Sequence, residues 1–219
     1  MGKGVYEKGV FSLYVSFDYD ATKYLEEWKN GFNLASRSLF EATSGKMKFG
    51  TIMAANRGRS FTPKVDPKKE ADVVIYGPKY TGSRLSCLAS SCYNVSPTWP
   101  YQNPCLGWAY RYFTLLHEDR WLVWYILHEF SHYALGLYDE YKNQLGYPGG
   151  TCCNDNDSSK CIMEVCDSIV TQYCDQEHTQ DNQQEFMNHK SCWATIQEKY
   201  SDLAGPSALS DYNITWVMG

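Results

Sequence analysis

The first 86 of the chain's 219 residues contain no cysteine, and all nine cysteines lie between residues 87 and 192. No apolar run approaches the roughly 20 residues that a helix needs to cross a bilayer, so a helical membrane span is excluded from the reading. The net charge is −5 and no block of like charge occurs, which leaves no footprint for nucleic acid or an anionic membrane surface. C-x-x-C pairs are missing too, and that counts against a zinc ribbon. Met1 to Lys8 lack the apolar core of a signal peptide. Asn154-Asp155-Asn156-Asp157 lacks the glycine and closing glutamate of a calcium loop, so it reads as a solvated turn.

What is present points elsewhere. Nine cysteines in a chain this short suit an exported protein that uses them as staples. At least three disulfides are expected, with one thiol over because nine is odd. Adjacent Cys152 and Cys153 are expected to bond to different partners. Export calls for a signal peptide, so the sequence is expected to begin after one; the alternative is an intracellular protein with its cysteines reduced. The triplets at Asn94, Asn156 and Asn213 fit glycosylation acceptors in a eukaryotic secretory route, a weak signal. The 18 Tyr and 7 Trp suit a core and a groove for extended peptide.

The chemistry concentrates in His128-Glu129-Phe130-Ser131-His132. Two histidines four apart on a helix lie one turn above each other on one face. Both imidazoles can then reach one zinc ion at about 2.0–2.1 Å. Glu129 beside them suits a general base for water at the metal's open position. Gly136 is placed to stop the helix in the left-handed conformation, so that the chain turns back and offers Asp139 as third ligand. Glu140, adjacent and equally able to bind zinc, remains the rival for that role. With 5 His and 12 Glu in the chain, random placement yields roughly 0.006 matches to this five-residue pattern, which sets the bland reading of a half-buried helix well behind a zinc site.

One zincin subgroup reads H-E-x-x-H-x-x-G-x-x-H. Here the glycine falls one residue later, giving H-E-x-x-H-x-x-x-G-x-x-D-E through Glu140. That spacing resembles the N-terminal metalloprotease domain of the calcium-activated chloride channel regulator (CLCA) family. The similarity continues in Cys161-Ile162-Met163, which looks like that domain's methionine turn. It extends to Tyr173-Cys174, His178, Asn182 and Cys192-Trp193, with Ala71 to Ile75 a weaker match. It covers roughly residues 70–200. The resemblance implies a metzincin-like fold, zinc as cofactor, His128, His132 and Asp139 as ligands, and peptide-bond hydrolysis with Glu129 as general base. Met163 would then floor the site. The tyrosine that some metzincins carry two residues past the methionine is replaced by Val165, leaving Tyr173 and His178 as candidates to support the oxyanion.

The remaining pattern predicts an α+β domain over residues 1–203. Its upper part, to about 137, holds a twisted mixed sheet and the active-site helix. Its lower part, about 138–203, is loop-rich and disulfide-stapled. Residues 204–219 form a tail or the start of a further element. Phe11, Leu13, Val15 and Phe17 alternate as in a half-buried strand. Asp20 is placed to cap a helix with Tyr24, Trp28, Phe32, Ala35 and Leu39 on one stripe. Strands are expected at Met47–Ala54, Val73–Tyr76 and Trp108–Leu116, the last along the cleft. Residues 77–107 would form a pinned rim, Asp119 would cap a helix from Arg120 to Leu135, and 189–202 would close the domain. His117 and His189 read as surface or capping residues. The expected function is a secreted zinc-dependent endopeptidase acting on peptide or protein. The alternative is a secreted binding module, latent or non-enzymatic, that keeps the fold.

Overall fold

In the computed structural model, which describes residues 4–17, 19–57, 71–75, 119–140, 161–164, 172–175, 182–204 and 209–219, the alternating stretch forms the sheet's central strand. Strand β1 (Val5–Glu7) turns through Lys8-Gly9 into β2 (Val10–Phe17) and pairs with it antiparallel. Strands β3 (Lys48–Ala55) and β4 (Val73–Ile75) run parallel to β2, and β5 (Thr215–Met218) runs parallel to β3. The result is a five-stranded mixed open sheet, with β1 and β4 sharing one side of β2 and β3 lying on the other. Thr215–Met218, read from sequence as tail or further element, is thus an edge strand of this same sheet.

Phe11, Leu13, Val15 and Phe17 are all buried, as period-two alternation requires. On β3 the buried residues are Phe49, Ile52, Ala54 and Ala55, and the three-residue step from Phe49 to Ile52 breaks that period. The pairing explains it. Phe11 aligns with Phe49 but Leu13 with Ile52, so β3 carries one extra residue there. Such a bulge returns the following side chains to the buried face.

That face is covered by two helices. In α1 (Leu25–Ala42), Trp28, Phe32, Ala35 and Leu39 form a buried stripe, and Glu26 and Glu27 favour the positive end of the helix dipole. Asp20 does not cap α1 itself. Its Oδ1 accepts from the Thr22 amide and hydroxyl at 3.1 and 2.6 Å, just ahead of a short 3-10 turn over Thr22–Tyr24 that leads into α1. The second helix, α2 (Asp119–Phe130), is continued by a π-helical turn over Ser131–Leu135. Phe130 stacks edge-on against Phe11 and Phe49, with centroids 4.9 and 4.8 Å away. Phe49 also meets Phe32 of α1. The aromatic cluster therefore ties both helices to one sheet face.

Below α2 lie α3 (Gln183–Asn188), capped by Asn182, and α4 (Cys192–Lys199), capped by Ser191. A 3-10 turn at Ser201–Ala204 follows α4, so the expected closing helix is divided. Exposed His189 ends α3 in the left-handed conformation. Among the described residues no helix is long and apolar enough to cross a membrane. The expected rim at 77–107, the strand Trp108–Leu116, His117, His178 and residues 142–160 lie outside the described residues.

Gly31 marks where α1 and α2 touch. A Cβ there would stand 2.5 Å from Leu122 Cδ2, and Leu122 is itself buried. Overpacking of this kind costs about 1–3 kcal/mol, against which alanine's helix preference returns at most about 1 kcal/mol. Gly31→Ala is therefore expected to lower stability by about 1 kcal/mol in urea unfolding. A stabilised variant would show that the helices do not meet at Gly31.

Candidate metal centre

Helix α2 places His128 on its last regular turn, and the π-helical turn that follows carries His132. Ser131 shapes this junction. Its carbonyl accepts from the amides of Gly136 and Leu137, and its hydroxyl donates back to the Leu127 carbonyl at 2.7 Å. Widened turns of this type concentrate at functional sites. Gly136 then ends the helix at φ 72°, ψ 29°, the left-handed conformation expected of a C-terminal glycine. The chain reverses through Leu137 and Tyr138, and Asp139 comes back to the helix face.

Three donor atoms converge there. His128 Nε2 and His132 Nε2 are 3.1 Å apart, and Asp139 Oδ1 lies 3.1 Å from the first and 3.2 Å from the second. Each histidine's other nitrogen faces a backbone carbonyl. His128 Nδ1 donates to Ile162 O at 3.1 Å, and His132 Nδ1 donates to Leu137 O at 2.7 Å. A carbonyl only accepts, so in the neutral rings both protons sit on Nδ1 and both Nε2 atoms present lone pairs. Asp139 Oδ1 is fully buried yet makes no well-aligned hydrogen bond. Three electron-rich atoms in so small a space repel one another unless a cation lies between them. Tetrahedral zinc with bonds of about 2.0–2.2 Å has donor–donor edges of about 3.3–3.6 Å, close to this triangle. His128, His132 and Asp139 thus form a group able to hold a metal ion.

Electrostatics within the group are strong. Burial disfavours a charged imidazole at His132, but Asp139, Glu129 and the Leu137 carbonyl outweigh it and push the pKa up to about 9. Burial would likewise raise the Asp139 carboxyl, yet the facing imidazoles hold it well below the usual carboxylate range. Glu129 is itself buried. Without metal, a proton on His132 facing the Asp139 carboxylate is therefore favoured in place of the cation.

The supporting shell reaches across the lower part of the molecule. The Trp124 ring lies 4.6 Å from the His128 ring, and its Nε1 donates to Glu164 O. Gln184 of α3 accepts from the Tyr138 amide through Oε1 and donates its own amide to Asp139 O. Asn188 donates to Gly136 O. Helix α3 therefore clamps the segment that carries Asp139. Met163 is fully buried, and its carbonyl accepts from the Glu140 amide. Tyr173 does not project into an open cleft. It is buried, and its hydroxyl meets Ser131 Oγ at 2.8 Å behind the helix. Tyr173 is one of two candidates to support the oxyanion, and the other, His178, lies outside the described residues.

Glu140 goes elsewhere. With Cys161, Cys174 and Cys192 it forms a second group able to hold a metal ion. All three cysteines are thiols rather than disulfides. The remaining six cysteines lie outside the described residues, so three disulfides would require those six to pair among themselves. The spacings Cys161 to Cys174 to Cys192 match no local metal pattern, so from sequence alone these cysteines read as staples. Trp124, Ser131 and Gln184 were also missed, being unremarkable helix residues until the fold brings them to the site. Asn182 carried a legible signal, an N-cap followed three residues later by Glu185.

Metal entering the His128–His132–Asp139 group must displace the proton on His132, so affinity should rise with pH until about 9. Zinc titration calorimetry near neutral pH, in buffers of different ionisation heat, should report about one proton released for the ion that enters this group. Affinity that does not change across that range would contradict a protonated His132. Comparison of the chain with protein-family models, with curated proteins and with solved structures gave no match.

Proposed function

We propose that this chain is a zinc-dependent endopeptidase with a zincin-like, metzincin-type fold. The observation that carries the reading is the convergence of His128 Nε2, His132 Nε2 and Asp139 Oδ1 at 3.1–3.2 Å, with Glu129 next to the first ligand in sequence. Three protein donors leave a fourth zinc position open, which distinguishes a catalytic site from a structural one. A structural site has no need of Glu129, so its presence favours hydrolysis. The mixed sheet, the helix across it, the left-handed Gly136 and the buried Met163 support the fold assignment. Peptide or protein is the substrate class. An extracytoplasmic setting is part of the proposal and rests on the six cysteines outside the described residues, since Cys161, Cys174 and Cys192 stand as thiols.

Zinc, when bound, supplies a Lewis acid that polarises the scissile carbonyl and acidifies water. The chain's residues do the rest. The Glu129 carboxylate accepts a proton from the attacking water and passes it to the departing amine. Asp139 brings negative charge to the ligand set, and the Ile162 and Leu137 carbonyls hold both imidazoles in the tautomer that offers Nε2.

Glu129→Gln should lower cleavage of a mixed peptide library by about 10²–10⁴-fold while metal content stays unchanged. Asp139→Ala should lose metal from this group. Wild-type protein that binds zinc but cleaves nothing would favour the binding-module reading. Retention of that metal in Asp139→Ala, with loss in Glu140→Ala at the same group, would overturn the ligand assignment.

A further inference from the structure

Glu140, Cys161, Cys174 and Cys192 come from four separated stretches of chain, yet each offers a donor atom within 4.8 Å of the others. The Cys174 and Cys192 Sγ atoms stand 2.9 and 3.2 Å from Glu140 Oε1. The Cys174 amide points at Cys161 Sγ, 3.4 Å away. Cys161, Cys192 and Glu140 are fully buried, and Cys174 is half-buried. Three thiols side by side at a buried carboxylate make an improbable piece of ordinary core. Sulfur is a weak hydrogen-bond donor and a poor partner for such a charge.

We propose that these four residues bind a second, structural zinc ion, independent of the His128–His132–Asp139 group. The donor set is three soft sulfurs and one oxygen, which selects zinc over calcium or magnesium. Four protein donors fill a tetrahedron and leave no position for substrate. A tetrahedral zinc with Zn–S of about 2.3 Å and Zn–O of about 2.1 Å has S–S edges of about 3.8 Å and S–O edges of about 3.6 Å. The four donors lie within 4.8 Å of one another, and two sulfurs stand 2.9 and 3.2 Å from Glu140 Oε1, so small outward shifts would reach those edges. On binding, the three thiols release three protons to solvent as three Zn–S bonds form, and the Glu140 carboxylate completes the shell. The Cys174 amide stabilises the Cys161 thiolate that results.

The position gives the ion its purpose. Glu140 directly follows Asp139. Cys161 directly precedes Ile162, whose carbonyl orients His128, and Met163, whose carbonyl holds the Glu140 amide. Cys174 follows Tyr173, which is bonded to Ser131, and Cys192 opens α4. A closed zinc site here would pin the turn after the active helix, the Cys161–Glu164 segment, the Tyr173–Cys174 segment and α4 together. That is the work that disulfides were expected to do in the lower part of the chain.

The test uses the full chain and a His128→Ala/His132→Ala variant, each measured for zinc content and then reconstituted with cobalt(II). The proposal expects two equivalents of zinc in the full chain and one in the variant. The variant's cobalt form should show near-ultraviolet thiolate-to-cobalt charge-transfer absorption, which histidine and carboxylate ligands cannot produce. Cys161→Ser/Cys192→Ser should lose that absorption and one equivalent of zinc. Should this double substitution prevent folding, the spectrum of the histidine variant still decides. One equivalent with the thiolate band in both the full chain and the histidine variant would support this centre and remove the other. The proposal is overturned if the histidine variant binds no metal or lacks the thiolate band. It is also overturned if the band persists in the cysteine variant, or if peptide mapping without reduction finds any two of Cys161, Cys174 and Cys192 joined.

Discussion

Two hydrogen bonds from imidazole to backbone set the chemistry of this molecule. His128 Nδ1 is held by Ile162 O and His132 Nδ1 by Leu137 O. Each bond fixes a ring orientation, and together they turn both Nε2 atoms toward Asp139 Oδ1. Much of the surrounding structure serves to keep those two carbonyls in place. The Leu137 carbonyl is within reach because Gly136 takes a positive φ and turns the chain back on itself. The Ile162 carbonyl is within reach because its neighbours are tied on both sides, Ile162 N to Gln172 O and the Glu140 amide to Met163 O.

The sheet and its two helices form the rigid side of this arrangement. Phe130 sits between Phe11 and Phe49, so the helix carrying His128 is registered against the central strands by interlocked rings. Gly31 lets α1 approach α2 closely at Leu122 and Ile126. Asp72 adds a polar anchor. It accepts from the Gly4 and Tyr14 amides and from the Tyr133 hydroxyl, joining the residue after His132 to the edge of the sheet. The lower side has little regular structure among the described residues. It relies on caps, on the Gln184 and Asn188 side chains and on the cysteine–glutamate cluster. A metal ion in that cluster would give the less regular half a rigidity matching the sheet's.

The sorting of Asp139 and Glu140 shows how adjacent, chemically similar residues take different roles. Both are buried acids at the end of one turn. The tertiary contacts separate them: Asp139 Oδ1 faces His128 and His132, and Glu140 Oε1 faces Cys174 and Cys192.

Sequence by itself determined the local features: the alternating strand Val10–Phe17, the apolar stripe of α1, the His128–His132 pair on one helix face, the stop at Gly136 and a carboxylate three residues on. Each depends on spacings of a few residues, where backbone geometry alone fixes which side chains are neighbours. Tertiary structure decided the rest. The bulge that puts Ile52 on the buried face, the addition of β5 to the sheet, the carbonyls that orient the histidines and the meeting of Cys161, Cys174 and Cys192 with Glu140 all join distant stretches of chain. No local period encodes such contacts. They follow from how the elements pack, which is why these cysteines read as staples in the sequence and stand as a cluster of donors in the fold.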